Sequence, residues 1–201
     1  ALATLLDPAD CGPAFIGLPQ DLQGWAYDYP AAFFEQRVHR IRRQMPDTLE
    51  IADAAALLRS AKRPVIVAGG GVQYSGAVAE LTAFAENHNI PVVETIAGRA
   101  NMLATHPLNT GPLGVTGSDS ANTIAGKADV VLAVGTRLQD FTTGSWTVFA
   151  PDARLIGLNA GRHDAAKHRS VTVVGDARLG LQTLGDALGD YRAPAEWTET
   201  A

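Results

Sequence analysis

Few residues in this 201-residue chain could do chemistry, and most of them stand beside glycine. Gly69, Gly70 and Gly71 form a triplet with Ser75 a few residues on, Gly135 is followed by Thr136 and Arg137, and Asn159, Gly175 and Asp176 stand where apolar runs end. Without a Cβ, a backbone amide can come close to a ligand, and amides at a helix head attract anions. The triplet suits that use and suits a plain tight turn equally. It does not match the spacing of a dinucleotide fingerprint, because counting from Gly69 the third glycine position is Tyr74. Arg137 offers a planar fork for phosphate with the Thr136 hydroxyl beside it, or a salt bridge to Asp140. Asp176 reads as a helix N-cap or as a ligand for a ribose.

The usual reaction centres are missing. There is no Gly-x-Ser-x-Gly elbow and no Gly-x-x-x-x-Gly-Lys-Ser/Thr loop. His106 precedes Pro107 in a turn and reads as structural, and His163, Asp164 and His168 match no zinc spacing and read as a solvated loop. Cys11 is the single cysteine, which excludes an internal disulfide, and it has no flanking base to activate it. The residues describe a ligand-binding rim without catalytic or metal-binding groups of its own.

The elements that must position this rim are legible from hydrophobic patterning. Short apolar runs over 64–68, 90–95, 129–134, 154–159 and 171–175 read as strands buried on both faces. Helical spacing covers 48–61, opened by Asp47 and Glu50 in a capping-box arrangement, then 75–87 with Ser75 as cap, then 118–127, and a last helix from Asp176. Residues 98–117 read as a long glycine-rich loop. Strands alternating with amphipathic helices imply an α/β fold, a doubly wound, mainly parallel, Rossmann-like sheet. Ahead of it, 14–18 reads as a buried strand, and 19–46 as an ordered linker rich in aromatics and ending in a basic run.

Composition narrows the class further. With 16 Lys+Arg against 21 Asp+Glu the net charge is −5, and no basic cluster is longer than Arg42-Arg43, which argues against nucleic acid. No apolar stretch approaches the roughly 20 residues of a membrane span, and no basic-then-apolar export signal opens the chain. A cytoplasmic location is the expectation.

These residues together resemble the central domain of thiamine-diphosphate-dependent enzymes of the acetohydroxyacid synthase group. The matching stretches are PVIVAGGGV at 64–72, IPVVET at 90–95, HPL at 106–108, GPLG at 111–114, ADVVLAVGTR at 128–137 and VGDA at 174–177. A second set, GLPQDLQ at 17–23, AGGGVQYSG at 68–76, DFTTG at 140–144 and NAGRHDAAKH at 159–168, resembles one branch of that group. The resemblance implies a division into 1–23 as the end of a preceding pyrimidine-binding domain, 24–46 as interdomain linker, 47–190 as the central Rossmann-like domain, and 191–201 as the start of a linker to a diphosphate-binding domain. It implies a longer, homo-oligomeric parent that uses thiamine diphosphate and magnesium. That parent opens the ring of a trihydroxycyclohexane-dione to a deoxyglucuronic acid in inositol catabolism, and the 201 residues alone are expected to be inactive. In the flavin-binding relatives this domain also holds FAD, and others hold ADP or nothing. Carried over by motif, such contacts fall on Gly70, Gly71, Thr95, Val115, Thr116, Gly117, Gly135, Thr136, Arg137, Asn159, Gly175 and Asp176. Thr116 replaces the histidine usual in flavin binders, and Asn159-Ala160-Gly161 departs from their acidic strand end. An acetohydroxyacid synthase-type domain, a stand-alone nucleotide-binding module and a purely structural middle domain are the competing readings.

Overall fold

The computed structural model describes all 201 residues, which fall into two compact units, Ala1–Arg42 and Arg43–Ala201. In the first, a four-residue helix α1 (Leu2–Leu5) precedes a turn in which the Asp7 carboxylate accepts the amides of Ala9 and Asp10, each at 2.8 Å. Two 3-10 turns follow, Leu22–Gly24 and Ala31–Phe34. Tyr29 gathers Tyr27, Phe33 and Phe34 around it at ring-centroid distances of 4.9–6.1 Å. The strand expected over 14–18 does not form, and Phe15 is 96% exposed. A lone extended segment has no ladder to satisfy its amides, so apolar composition by itself cannot make it a strand.

The second unit is a six-stranded parallel sheet, one strand more than the five apolar runs. Its elements in chain order are α2 (Thr48–Ser60), β1 (Pro64–Ala68), α3 (Gly70–Tyr74), α4 (Val78–His88), β2 (Val92–Glu94), β3 (Asn109–Pro112), α5 (Asp119–Lys127), β4 (Val130–Val134), α6 (Asp140–Thr143), β5 (Arg154–Asn159), α7 (Arg162–Ala165), β6 (Val171–Val174), α8 (Ala177–Leu188) and α9 (Ala195–Thr200). The strand order is β3-β2-β1-β4-β5-β6, and every neighbouring pair is parallel. The winding direction therefore reverses between β1 and β4, which sends the following helices to opposite faces. β1 and β4 are buried along their whole length, with Ile66, Leu132, Ile156 and Leu158 sealed in the centre. On one side α8 packs between α2 and α4 and contributes Leu181, Leu184 and Leu188 to the core.

Local chemistry sets most boundaries. Asp47 caps α2 by accepting the amides of Leu49 and Glu50, while the Glu50 carboxylate reaches away to the Val174 amide at 2.8 Å. The capping box is thus half-made, and its second carboxylate closes tertiary structure instead. Ser118 and Asp176 cap α5 and α8. The helix expected over 75–87 begins at Val78, because Gly76 turns the chain at φ +65° and the Ser75 hydroxyl donates to Val72. The glycine triplet ahead of it is the head of α3, not only a turn. β3 falls inside the expected glycine-rich loop; its sequence, with Gly111 and Pro112, carries no apolar run, and pairing with β2 alone makes it a strand.

Residues 191–201, expected to begin a linker, are packed onto the domain. Ala193 donates its amide to the His88 carbonyl, Thr198 donates its hydroxyl to the Asn89 carbonyl, and the buried Trp197 indole donates to the Pro64 carbonyl at 2.8 Å. Replacing Trp197→Ala removes that bond and leaves a cavity at the start of β1, so urea unfolding should show a loss of about 3–5 kcal/mol. A loss below about 1 kcal/mol would mean that the tail is only loosely docked.

Candidate functional site

In an open parallel sheet a ligand sits beyond the carboxyl ends of the strands, at the point where the winding reverses. Here that point lies between Gly69, which follows β1, and Gly135, which follows β4. The two turns touch. The Gly69 amide donates to the Val134 carbonyl and the Gly71 amide to the Gly135 carbonyl, both at 2.9 Å. A Cβ on Gly69 would lie 2.3 Å from the Gly135 oxygen, and one on Gly71 would lie 2.7 Å from the Gly135 Cα. Gly135 has φ +57°, a conformation that side chains disfavour. The glycines that head the rim are spent on backbone-to-backbone contact.

The remaining candidates are held just as firmly. Gly70 abuts the Ala97 carbonyl, to which a Cβ would come within 3.0 Å. Thr95 caps the 3-10 turn Ile96–Gly98 by accepting the Gly98 amide at 3.1 Å. Val115 and Thr116 are exposed on the turn before α5, with the Val115 amide bonded to the Phe141 carbonyl and the Gly117 amide to that of Gly114. Thr136 accepts the Leu138 amide on its hydroxyl. Asn159 is used at both ends: Nδ2 donates to the Thr136 carbonyl at 3.0 Å, and Oδ1 accepts the Gly161 amide at 2.9 Å. The Gly175 amide donates to the Asn159 carbonyl. Asp176 accepts the amides of Arg178 and Leu179 on Oδ1 and pairs through Oδ2 with Arg43 at 2.7 Å. Arg137 is exposed and has no carboxylate partner, so the salt bridge to Asp140 does not form; its carbonyl accepts the Lys167 ammonium at 2.8 Å.

Sequence reading missed several members of this rim. The Glu94 carboxylate is buried at the end of β2 and accepts the Met102 amide at 3.0 Å, while Asn101 donates to the Gly69 carbonyl and leaves Oδ1 buried without a donor. Asn122 clamps Gly114 from both sides of its amide group. Trp146 and His168 pack at a tilt of 33° with ring centroids 3.3 Å apart, each carried on backbone with positive φ, 67° and 53°. No spacing rule links residues so far apart in sequence. His106 proves to be held by Glu86 at 3.1 Å and by the Leu108 amide, and no group of three His, Cys, Asp or Glu side chains assembles anywhere in the chain. The rim offers an exposed cation, Arg137, and a set of satisfied amides; it has no nucleophile–base pair.

Known proteins can now be set beside this geometry. The profile of the thiamine pyrophosphate enzyme central domain matches residues 51–184, so the chain belongs to that family. Among curated relatives, a 3D-(3,5/4)-trihydroxycyclohexane-1,2-dione hydrolase of Geobacillus thermodenitrificans is 48% identical over 191 residues, covering 95% of this chain and 30% of that protein. The protein of the same name from Bacillus cereus strain AH820 is 42% identical over 199 residues, covering 98% of this chain and 31% of its own length. The chain thus spans about 30% of the curated relatives it matches. An X-ray structure from Mycobacterium smegmatis, assigned to the thiamin diphosphate-dependent enzymes, superposes with a TM-score of 0.64 at 25% identity, covering 77% of this chain and 30% of that one.

The Trp146–His168 pair provides a direct check on the site. Desolvation against its surroundings, and then the Lys167 charge, hold the His168 imidazole below its usual 6.5. As pH falls, the unfolded chain takes up this proton before the folded one, so the stabilisation is complete above pH 6.5 and declines on acidification below it. In an NMR titration His168 should therefore show a midpoint under 6.5, and Lys167→Ala should raise it. A wild-type midpoint above 6.5 would contradict the packing of the Trp146–His168 pair.

Proposed function

We propose that this chain is the central domain of a thiamine-diphosphate-dependent carbon–carbon hydrolase that opens the ring of trihydroxycyclohexane-1,2-dione to a deoxyglucuronic acid. The observation that carries the reading is 48% identity over 95% of the chain to a hydrolase named for that substrate. The match covers 95% of the chain, so it is not confined to one element of the fold.

When bound, thiamine diphosphate supplies the carbon nucleophile that such a cleavage needs. The residues of this chain do not fit the group. A magnesium–diphosphate pair requires clustered oxygen ligands and free amides, whereas no acidic cluster assembles here and the amides of Gly71, Gly135, Gly175 and Asp176 are already bonded. In this reading the cofactor and magnesium are held by other domains of the same polypeptide, in a cytoplasmic homo-oligomer. This chain supplies a rigid parallel sheet whose carboxyl rim stands at the boundary with them. What its own residues do is hold shape: Gly71 against Gly135, Asn122 against Gly114, and Asn159 across the Thr136–Gly161 turn. No helix is long and apolar enough to cross a membrane.

The test is turnover by the full-length protein, supplied with thiamine diphosphate, magnesium and the cyclic dione, followed by loss of the diketone and appearance of the open-chain acid. Ring opening by the full-length protein and none by the 201 residues is the expected pair of results. Condensation of pyruvate to acetolactate, with the dione left intact, would move the protein to the acetohydroxyacid synthase branch. Ring opening by the 201 residues alone would remove the division of labour.

A further inference from the structure

We propose that the carboxyl rim of this domain is an anchorage for the end of the connector, locked by the Arg43–Asp176 ion pair, and that it does not hold FAD or ADP. The two halves share one set of observations and go beyond the reaction of the longer protein, on which neither depends.

β6 is an edge strand, paired on one side to β5 only. Alternate amides of an edge strand point outward, and they must find acceptors or stay wet. In this chain the outward amides at the end of β6 are covered by the first turn of α2 and by the segment ahead of it. The Val174 amide donates to Glu50 at 2.8 Å, and the Asp176 amide donates to the Gln44 carbonyl at 2.8 Å. Between them the Gly175 amide turns inward to the Asn159 carbonyl. Gly175 has no side chain where one would come within 3.0 Å of the Pro46 nitrogen, so the connector lies directly on the strand. Asp176 closes the arrangement. One carboxylate oxygen caps α8, and the other pairs with Arg43 at 2.7 Å, with the Asp176 side chain 7% and the Arg43 side chain 35% exposed.

The same bonds leave little for a nucleotide. A phosphate cradle needs several free N–H groups together, and six of the rim's amides, those of Gly71, Val115, Gly117, Gly135, Gly175 and Asp176, donate to protein carbonyls instead. A ribose needs a free acceptor at the strand ends, yet both oxygens of Asp176 and both polar atoms of Asn159 are engaged. FAD or ADP that used these groups would have to break their bonds and leave the former partners unpaired.

Two measurements on the 201-residue chain test this. Trypsin can cut after Arg37, Arg40, Arg42 and Arg43. Cleavage after Arg37 and Arg40 should be fast and cleavage after Arg43 slow. Asp176→Asn keeps the cap acceptor and loses the ion pair, and it should speed cleavage after Arg43 by roughly tenfold or more, because proteolysis tracks the open population. Arg43→Ala, which leaves the α8 cap untouched, should speed cleavage after Arg42 likewise, and it decides the matter if the first variant misfolds. Unchanged cleavage in both variants overturns the lock. Calorimetric titration and thermal shift with FAD and with ADP, up to about 1 mM, should show no saturable binding. Micromolar binding of either overturns the second half.

Discussion

Two glycine turns pressed against each other hold this domain's rim in place. Where the strand order reverses, a doubly wound sheet ordinarily leaves a crevice between the loops after the two central strands. In this chain Gly69 and Gly71 meet Gly135 across that crevice with no side chain between them, and the Gly71 amide bonds to the Gly135 carbonyl at 2.9 Å. Because Gly135 stands at φ +57°, the chain leaving β4 is thrown towards Thr136 and Arg137 on a fixed path. Asn159 then ties Thr136 to the next turn, and Gly175 ties that turn to β6. Each strand end is thereby registered to its neighbour, and the rim behaves as one rigid edge.

Rigidity of this kind suits a domain whose role is to support chemistry done beside it. The side chains that look reactive in isolation are consumed in local structure: Thr95 as a cap, Asp176 as a cap and ion-pair partner, Glu94 as a buried acceptor, His106 as the partner of Glu86. Arg137, by contrast, is exposed and without a carboxylate. Backbone in positive-φ conformations collects nearby, at Leu138, Ser145, Trp146, His168 and Arg169. Such conformations persist only where surrounding contacts enforce them, and they concentrate at sites of function.

Much of the fold could be read from residues alone. Buried parallel strands must be apolar on both faces, so PVIVA and VVLAV declare themselves, and Asp47 and Asp176 mark helix starts because their side chains have the right oxygen at the right distance. The failures have equally physical causes. Residues 14–18 have strand composition without a ladder partner, and β3 has a ladder partner without strand composition. As for the rim, its glycines and strand-end polar residues were identifiable. What they bond to was not.

Sequence therefore determined the class of fold, the caps at Asp47 and Asp176 and the place where a rim must lie, since periodicity and capping are local properties of the chain. Tertiary structure decided whether the glycines face a ligand or each other, and whether the Asp176 carboxylate is free or held by Arg43, 133 residues earlier in the chain. Those outcomes depend on which amides are left over once six strands are in register, and no local pattern carries that information.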